Sequence, residues 1–311
     1  MIIDAVFEGG GVKGISLTGA VRGAEVAGIK FGQVAGTSIG AIIAALLAAG
    51  YDGLQMRHIV ANTPFSTFLK RSFLFNVKVI GPAARLFIRK GLYSGEALEY
   101  WIEGLLAKRG IKTFGDLPPG KLRIVASDIT NGRLLVLPDD YPMYGIDPRK
   151  AGVARAVRMS ASIPFFFDPV ILRYSDQASI CLEVPQKDAG KKLHSAYIVD
   201  GGLLSNFPLW IFDKEKGAGK APVVGFQMVG RNENEPRHIR GPLSMFQAMF
   251  ETMLQAHDER YLHDDVRDRT VKIPTLGVRT TDFHLSKAMS EQLYLSGYRA
   301  AETFFEGFKC P

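Results

Sequence analysis

The sequence is poor in cysteine and has no long hydrophobic run. Its two cysteines, Cys181 and Cys310, cannot form a disulfide framework or a structural zinc cluster. The longest uncharged apolar segment, residues 39–49, is far shorter than the ~20 residues that cross a bilayer. Asp4 and Glu8 occupy the region where a secretory leader is apolar. These absences predict a protein of a reducing compartment, cytoplasmic or peripherally bound to a membrane.

Acidic residues are absent between Gly53 and Gly95. The chain has 311 residues, 47% of them apolar, and a net charge of +7. Seven basic residues lie in this stretch, and the rest of the chain holds 31 basic and 31 acidic residues. The stretch also contains five phenylalanines, a combination that suits an anionic lipid surface. We therefore predict a basic, Phe-rich insertion or cap-like segment at 53–95 that contacts an anionic membrane; a solvated basic face over core phenylalanines is the alternative.

The pattern of apolar runs predicts an α/β protein. A strand at 2–7 and a helix at 15–27 are followed by a strand at 29–35 and a helix at 39–49, and such a βαβα unit requires a parallel sheet. Further strands are predicted at 122–127, 134–137, 196–199, 223–229 and 270–273, and further helices at 95–109, 149–160, 243–262 and 285–308. Without repeats or a linker that divides the chain, residues 1–311 are expected to form a single domain. No nucleic-acid motif is found, so no nucleic-acid partner is expected.

A glycine-rich loop follows the first predicted strand. Gly9, Gly11 and Gly14 have the spacing of the dinucleotide-binding fingerprint, between a strand and a helix. That fingerprint calls for an acidic residue at the end of the second strand, where this sequence has Thr37 and Ser38. The loop nevertheless presents backbone N–H groups at the positive end of a helix, which predicts an anion-binding site. A nucleotide-dependent oxidoreductase stays open as an alternative function.

The segment Gly36-Thr37-Ser38-Ile39-Gly40 has the G-x-S-x-G pattern of a nucleophile elbow. It lies between an apolar strand and an apolar helix, where the flanking glycines allow a sharp turn with the serine hydroxyl at its apex. The pattern therefore predicts a nucleophilic Ser38. The alternative is that Ser38 only caps the following helix.

None of the six histidines has the setting of a catalytic base, because none lies beside glycines or at the end of a predicted strand. Asp200 does end a predicted strand, and the two residues after it, Gly201 and Gly202, leave room for a close approach. Catalytic groups of open α/β folds gather at strand ends. Asp200 is therefore the predicted base, with an ordinary Asp-Gly turn as the alternative.

Together these motifs resemble those of the patatin-like phospholipase family. GGGVKG, GTSIG and DGG occur in the family's order, and the resemblance extends to residues 159–164 and to Asn206-x-Pro208. It covers about residues 1–230. The resemblance implies a three-layer α/β/α sandwich with a mainly parallel central sheet, and a serine acyl hydrolase that cleaves phospholipids or other acyl esters without a cofactor or a metal. A membrane-binding adaptor with an idle dyad is the remaining alternative.

Carried onto this sequence, the resemblance implies Ser38 as the nucleophile and Asp200 as the general base. It places the oxyanion hole in the loop made of Gly9, Gly10, Gly11, Val12, Lys13 and Gly14. It gives supporting roles to the motif glycines Gly36, Gly40, Gly201 and Gly202. Two positions depart from the family pattern: Glu8 replaces an aspartate, and Lys13 stands where arginine is frequent. Neither substitution removes a backbone donor.

Overall fold

The computed structural model describes most of the chain. The described residues are 1–63, 65–68, 88–175, 193–213, 221–230, 239, 241–259, 264–280, 282 and 285–308. Both predicted motif loops and the Asp200 turn lie within them.

The centre of the molecule is an eight-stranded sheet with the order β10-β9-β1-β2-β4-β8-β7, in which β5 also pairs with β4. Neighbours from β10 to β4 are parallel, whereas β5, β7 and β8 are antiparallel to their partners. A separate parallel pair is formed by β3 and β6. The strands are β1 (Ile2–Phe7), β2 (Lys30–Thr37), β3 (Gly91–Tyr93), β4 (Leu122–Asp128), β5 (Arg133–Leu137), β6 (Phe165–Phe167), β7 (Val170–Ser175), β8 (Leu193–Asp200), β9 (Val223–Val229) and β10 (Thr270–Pro274).

Helices cover both faces of this sheet. Alternate residues of β1 show it: Ala5 and Phe7 belong to the main hydrophobic core, whereas Val6 belongs to a second core on the opposite face. The predicted three-layer arrangement with a mainly parallel sheet is therefore confirmed. The helices are α1 (Ile15–Val26), α2 (Ile39–Ala48), α3 (Gly53–Ala61), α4 (Glu96–Ala107), α5 (Val153–Ser160), α6 (Trp210–Asp213), α7 (Pro242–Glu259), α8 (Asp264–Arg267) and α9 (Lys287–Gly307).

Strand β4 brings two other strands end to end. β5 pairs with residues 124–128 of β4, and each residue of a strand can pair only once on each edge. β2 pairs with residues 122–125 and β8 with residues 126–128, so both must lie on the other edge of β4. Thr37 at the end of β2 faces Val125, and Asp200 at the end of β8 faces Ala126. The carboxyl ends of β2 and β8 therefore meet.

All seven predicted strands and all six predicted helices are present within a few residues of their expected bounds. The helix predicted at 149–160 begins only at Val153, because the preceding residues form turns and a bridge between Thr113 and Gly152. Strands β3, β6 and β7 were not predicted. The expectation that Asp200 ends a strand is confirmed, but β8 is antiparallel and reaches the site from the opposite direction.

The described part of the 53–95 segment begins inside the fold. In α3, the backbone N–H of Gly53 donates to the Glu25 carboxylate. Arg57 forms an ion pair with Glu291 of α9 at 2.6 Å, and Phe68 packs against Trp101. The basic residues Lys70, Arg71, Lys78 and Arg85 lie outside the described residues. In the part of the chain that the structure describes, no helix is long and apolar enough to span a membrane.

Candidate active site

Ser38 forms a sharp turn between β2 and α2. Its backbone has φ 54° and ψ −122°, a conformation that L-residues rarely adopt and that costs on the order of 1–3 kcal/mol. The turn directs the side chain toward the end of β8, where Ser38 Oγ donates a hydrogen bond of 2.7 Å to Asp200 Oδ2. This distance lies in the range expected for a nucleophile and its base. Because the serine side chain donates to Asp200, the capping alternative loses its support: α2 has no side-chain hydrogen bond at its N-cap.

Close backbone contacts explain why glycines flank Ser38. A Cβ on Gly40 would lie 2.2 Å from the carbonyl oxygen of Phe7, so α2 can pass over the end of β1 only with glycine at this position. A Cβ on Gly36 would lie 2.3 Å from the carbonyl oxygen of Gly40. The G-x-S-x-G motif therefore contributes steric clearance for a turn packed directly on the neighbouring strand.

Ser160 fixes the backbone of Ser38. Its Oγ accepts a 2.8 Å hydrogen bond from the Ser38 N–H, and both side chains are buried. Ser160 is the last residue of α5, far from Ser38 along the chain. The sequence indicates residues 159–164 only as part of the family resemblance. No pattern in it predicts the contact between Ser160 and Ser38.

Asp200 is held by backbone groups on both sides. Its N–H donates to the carbonyl oxygen of Ser162 at 2.9 Å, and its Oδ1 accepts from the Gly202 N–H at 2.8 Å. The residue is 2% exposed. Burial raises the pKa of the Asp200 carboxyl from 3.8 to about 7, while the hydrogen bonds from Ser38 and Gly202 oppose that rise. Asp200 is therefore a stronger base than an exposed aspartate.

The two glycines after Asp200 make different contributions. A Cβ on Gly201 would lie 2.3 Å from the carbonyl oxygen of Val125, so glycine is needed for the chain to turn against β4. Gly202 supplies the N–H that orients the carboxylate, and Leu254 of α7 packs against it.

The glycine loop lies beside the nucleophile. A Cβ on Gly9 would be 3.3 Å from Ser38 Cβ and 2.4 Å from Asn206 Oδ1, so the backbone passes directly over the serine. A Cβ on Gly14 would likewise overlap the Ile39 side chain at the start of α2. The structure thus places together the two loops and the Asp200 turn that the sequence singled out.

Not every N–H in the loop is directed at Ser38. The Gly9 N–H donates to the carbonyl of Asn206 at 3.1 Å, and the Val12 N–H to that of Thr280 at 3.2 Å. Lys13 and Gly14 lie at the end of the short 3-10 helix Gly11–Gly14, where N–H groups bond to the preceding turn. Of the six residues predicted for the oxyanion hole, Gly10 and Gly11 are therefore the ones whose N–H groups have no carbonyl partner among the described residues.

Glu8 ties the start of the glycine loop to β9 and to Asn206. It is 2% exposed, and its carboxylate accepts hydrogen bonds from the Met228 N–H of β9 and from Asn206 Nδ2. Asn206 Nδ2 also lies 3.3 Å from the carbonyl oxygen of Gly9. The departure from aspartate at this position is thus accommodated, because the longer side chain reaches across to β9.

Arg158 is a buried cation close to the site that the sequence analysis missed. Its guanidinium donates to Ser162 Oγ, to the carbonyl of Ser94 at 2.5 Å and to that of Asp168 at 2.7 Å. Gly95 makes room for it, because a Cβ there would lie 2.3 Å from the guanidinium carbon. Burial lowers the pKa of Arg158 to about 10, so it stays charged at neutral pH. It links the residues before α4 to the Ser162 segment that supports Asp200.

Two histidines whose side chains the structure describes lie away from this arrangement: His58 is in α3, and His194, six residues before Asp200 in β8, stacks on Tyr174 of β7. Among the described residues, no group of three or more His, Cys, Asp or Glu side chains could hold a metal ion.

With this geometry established, comparison with known proteins identifies the class. The patatin-like phospholipase family matches residues 5–213, which contain both loops, Ser38 and Asp200. The chain belongs to this family, and the family supports lipid ester hydrolysis as its activity. This assignment favours the hydrolase over the dinucleotide-binding interpretation of the glycine loop.

Two relatives are similar to the chain in sequence. The uncharacterized protein YqhO of Bacillus subtilis is 42% identical over 307 residues, covering 98% of this chain and 99% of the relative. The probable lipid hydrolase 463L of invertebrate iridescent virus 6 is 26% identical over 213 residues, covering 66% of this chain and 61% of that protein.

The crystal structure of VipD from Legionella pneumophila resembles the fold, with a TM-score of 0.54 and 17% identity. The similarity covers 98% of this chain, which spans 66% of the VipD chain. At this identity the likeness concerns the fold alone.

Proposed function

We propose that the protein is a serine acyl hydrolase that cleaves carboxylic esters of membrane lipids, of the phospholipase A or lysophospholipase type, through a Ser38–Asp200 dyad. The observation that carries the proposal is the 2.7 Å hydrogen bond from Ser38 Oγ to the buried Asp200 carboxylate. The phospholipid substrate class is supported by family membership.

In the first step Ser38 Oγ attacks the ester carbonyl carbon while Asp200 Oδ2 takes the hydroxyl proton. The buried carboxyl has a pKa of about 7, so near neutral pH it can both accept this proton and return it to the leaving alcohol. The Gly202 N–H keeps the other carboxylate oxygen in place during the transfer. An acyl-enzyme on Ser38 and a free alcohol result.

The developing oxyanion would be bound by the N–H groups of Gly10 and Gly11. A Cβ on Gly9 would lie 3.3 Å from Ser38 Cβ, and Gly10 and Gly11 follow Gly9 directly in the chain. The α1 and α2 helices both begin at this point, at Ile15 and Ile39, and their N-termini favour negative charge. One such donor typically contributes about 10²–10³ in rate.

Water then attacks the acyl-enzyme with Asp200 again as the base, and the fatty acid leaves. In this scheme every proton transfer is carried by Asp200, and the negative charge is held by backbone groups. The scheme therefore assigns no step to a metal ion or an organic cofactor.

A peripheral contact with an anionic membrane is the second part of the proposal. It is supported by the excess of basic residues between Gly53 and Gly95. Three basic residues of this stretch are described by the structure. Arg57 is paired with Glu291, whereas Arg89 and Lys90 are exposed and can face a lipid surface.

The test is covalent labelling combined with turnover. A fluorophosphonate probe should label the wild-type protein at Ser38, and phosphatidylcholine vesicles should release fatty acid or lysolipid. Labelling at Ser38 without turnover of any lipid or soluble ester would favour the adaptor with an idle dyad. Labelling elsewhere, with full activity retained by Ser38→Ala, would refute the proposed mechanism.

A further inference from the structure

The helix α7 covers the turn that carries the proposed base. Leu254 and Phe250 face inward and are 9% and 5% exposed. A Cβ on Gly202 would lie 2.6 Å from Leu254 Cδ2, so the helix packs directly on the Asp200-Gly201-Gly202 segment. The outward side of α7 is therefore a surface next to the dyad.

That outward side is apolar. Met245, Met249 and Met253 are 52%, 52% and 36% exposed, and their spacing of four residues places them in one stripe along the helix. Between residues 245 and 254 the sequence contains a single charged residue, Glu251. A helix that is apolar on both its inner and outer sides is expected to be covered on both.

The stripe continues onto β6. The Phe165 ring contacts the Phe246 ring of α7 edge to face, with centroids 4.3 Å apart, and Phe165 is 39% exposed. Its φ is +60°, which is unfavourable for a bulky side chain. A strained backbone thus holds an exposed aromatic ring beside the methionine stripe.

Basic residues lie at the edge of this apolar surface. Phe165 pairs with Gly91 of β3, and Arg89 and Lys90 immediately precede Gly91. Both are exposed, as is the apolar Ile88 at 64%. Lys90 Nζ lies 5.0 Å from the centre of the Tyr197 ring of β8.

From this arrangement we infer that Met245, Met249, Met253 and Phe165, bordered by Arg89 and Lys90, form the surface by which the protein docks on an anionic lipid bilayer. The apolar side chains would enter the acyl region, and the two cations would meet anionic headgroups. Methionine suits a fluid surface because its unbranched side chain adapts to many contacts. A second copy of the chain is a poorer occupant, because it would bring an equally basic edge toward this one.

The inference rests on the proposed function, and it adds the orientation of the enzyme on its substrate. With α7 against the bilayer, the Asp200 turn beneath Leu254 is directly behind the docking surface.

The test uses the triple variant Met245→Gln, Met249→Gln and Met253→Gln in the full chain. The control replaces Val26 and Leu295 with glutamine; these are 53% and 38% exposed and lie on α1 and α9. Binding is measured by sedimentation with vesicles of phosphatidylcholine alone or mixed equally with phosphatidylglycerol, on a Ser38→Ala background. The triple variant should bind the mixed vesicles at least about tenfold more weakly, and the control should bind like the parent.

Turnover separates docking from chemistry. In the Ser38 form, the triple variant should lose vesicle hydrolysis to a similar extent and keep its hydrolysis of the monomeric ester p-nitrophenyl butyrate. Arg89→Gln with Lys90→Gln should remove the preference for phosphatidylglycerol.

Three results would overturn the inference: unchanged vesicle binding by the triple variant, an equal loss in the control, or a wild-type dimer that the triple variant abolishes. Failure of the proposed function looks different, because the wild type would then bind vesicles without cleaving either substrate.

Discussion

The surroundings of Ser38 and the outer side of α7 differ in how tightly they are packed. Around Ser38, backbone meets backbone at Gly36, Gly40 and Gly201, and an added methyl group would overlap a carbonyl oxygen at 2.2 to 2.3 Å. On α7, Met245, Met249 and Met253 are instead 52%, 52% and 36% exposed. The reacting atoms are thus positioned by contacts that allow no variation, whereas the proposed lipid contact depends on total apolar surface.

The surroundings of Ser38 and the outer side of α7 should therefore tolerate different substitutions. Replacing one methionine of α7 by leucine should change little, because area and not shape matters there. A single added carbon near Ser38 should be costly, because the main chain itself would have to move.

The largest effect is expected from the dyad itself. Ser38→Ala and Asp200→Asn should each lower kcat/KM for p-nitrophenyl butyrate at least about 10³-fold, and the double variant should be little worse than either one. This non-additivity follows if the two side chains act as one unit through their 2.7 Å hydrogen bond. Steady-state kinetics of the three variants measures it.

The matched control for the dyad is Asp139→Asn, which removes an exposed carboxylate paired with Arg123. It should leave kcat/KM unchanged. Independent, additive losses at Ser38 and Asp200 would contradict the proposal that they act as one unit.

The next effect concerns backbone clearance. Gly40→Ala should destabilise the fold by about 2–4 kcal/mol, because the new Cβ would lie 2.2 Å from the Phe7 carbonyl oxygen. Gly104→Ala is the control: among the described residues, no atom outside its own helix lies within 4 Å of the added Cβ, and the variant should stabilise α4 by about 0.5–1 kcal/mol. Urea unfolding of both variants decides the matter, and equal effects would show that clearance at Gly40 is not limiting.

This site shows how far the sequence could lead. Ser38 and the glycine loop were predictable, because both follow parallel neighbouring strands that end at the same edge of the sheet. The position of Asp200 at a strand end followed by glycines was predictable, but the antiparallel direction of that strand was not. The contact between Asp200 and Ser38 depends on how two strands share one edge of β4. β2 pairs with the first part of that edge, and β8 pairs with the rest of it while running in the opposite direction.

The supporting contacts were beyond sequence reasoning altogether. Ser160 and Arg158 lie on a helix more than a hundred residues from Ser38, and they act through a backbone N–H and through Ser162. Such contacts leave no local pattern in the sequence, because the identity of a serine or an arginine does not indicate which distant residue its side chain contacts. The carbonyl partners of the Gly9 and Val12 N–H groups likewise leave no pattern in the sequence.

A third prediction concerns pH. With a pKa of about 7, Asp200 is protonated in the folded protein below that pH, so kcat/KM should fall as the pH drops from 8 to 6. The same carboxyl ionises near 3.8 when the chain is unfolded, so its contribution to stability is lost as the pH rises from about 4 to 7. Asp200→Asn lacks this loss.

The measurement for this prediction is the free energy of unfolding of wild type and Asp200→Asn between pH 5 and 8. Relative to wild type, the variant should gain on the order of 1–3 kcal/mol over that range, with the difference levelling off above pH 7. A difference that shrinks with rising pH would show that the fold favours the ionised carboxylate.

The smallest effect tests the strained turn at the nucleophile. Ser38 has φ 54°, which costs alanine as much as serine but suits glycine, so Ser38→Gly should be about 1 kcal/mol more stable than Ser38→Ala. The control pair uses Ala107, an exposed residue at the end of α4, where Ala107→Gly should instead cost about 0.5–1 kcal/mol. Thermal and urea unfolding measure both pairs. If glycine destabilised both positions alike, the backbone at Ser38 would carry no strain, and the sharp turn would be an ordinary element of the fold.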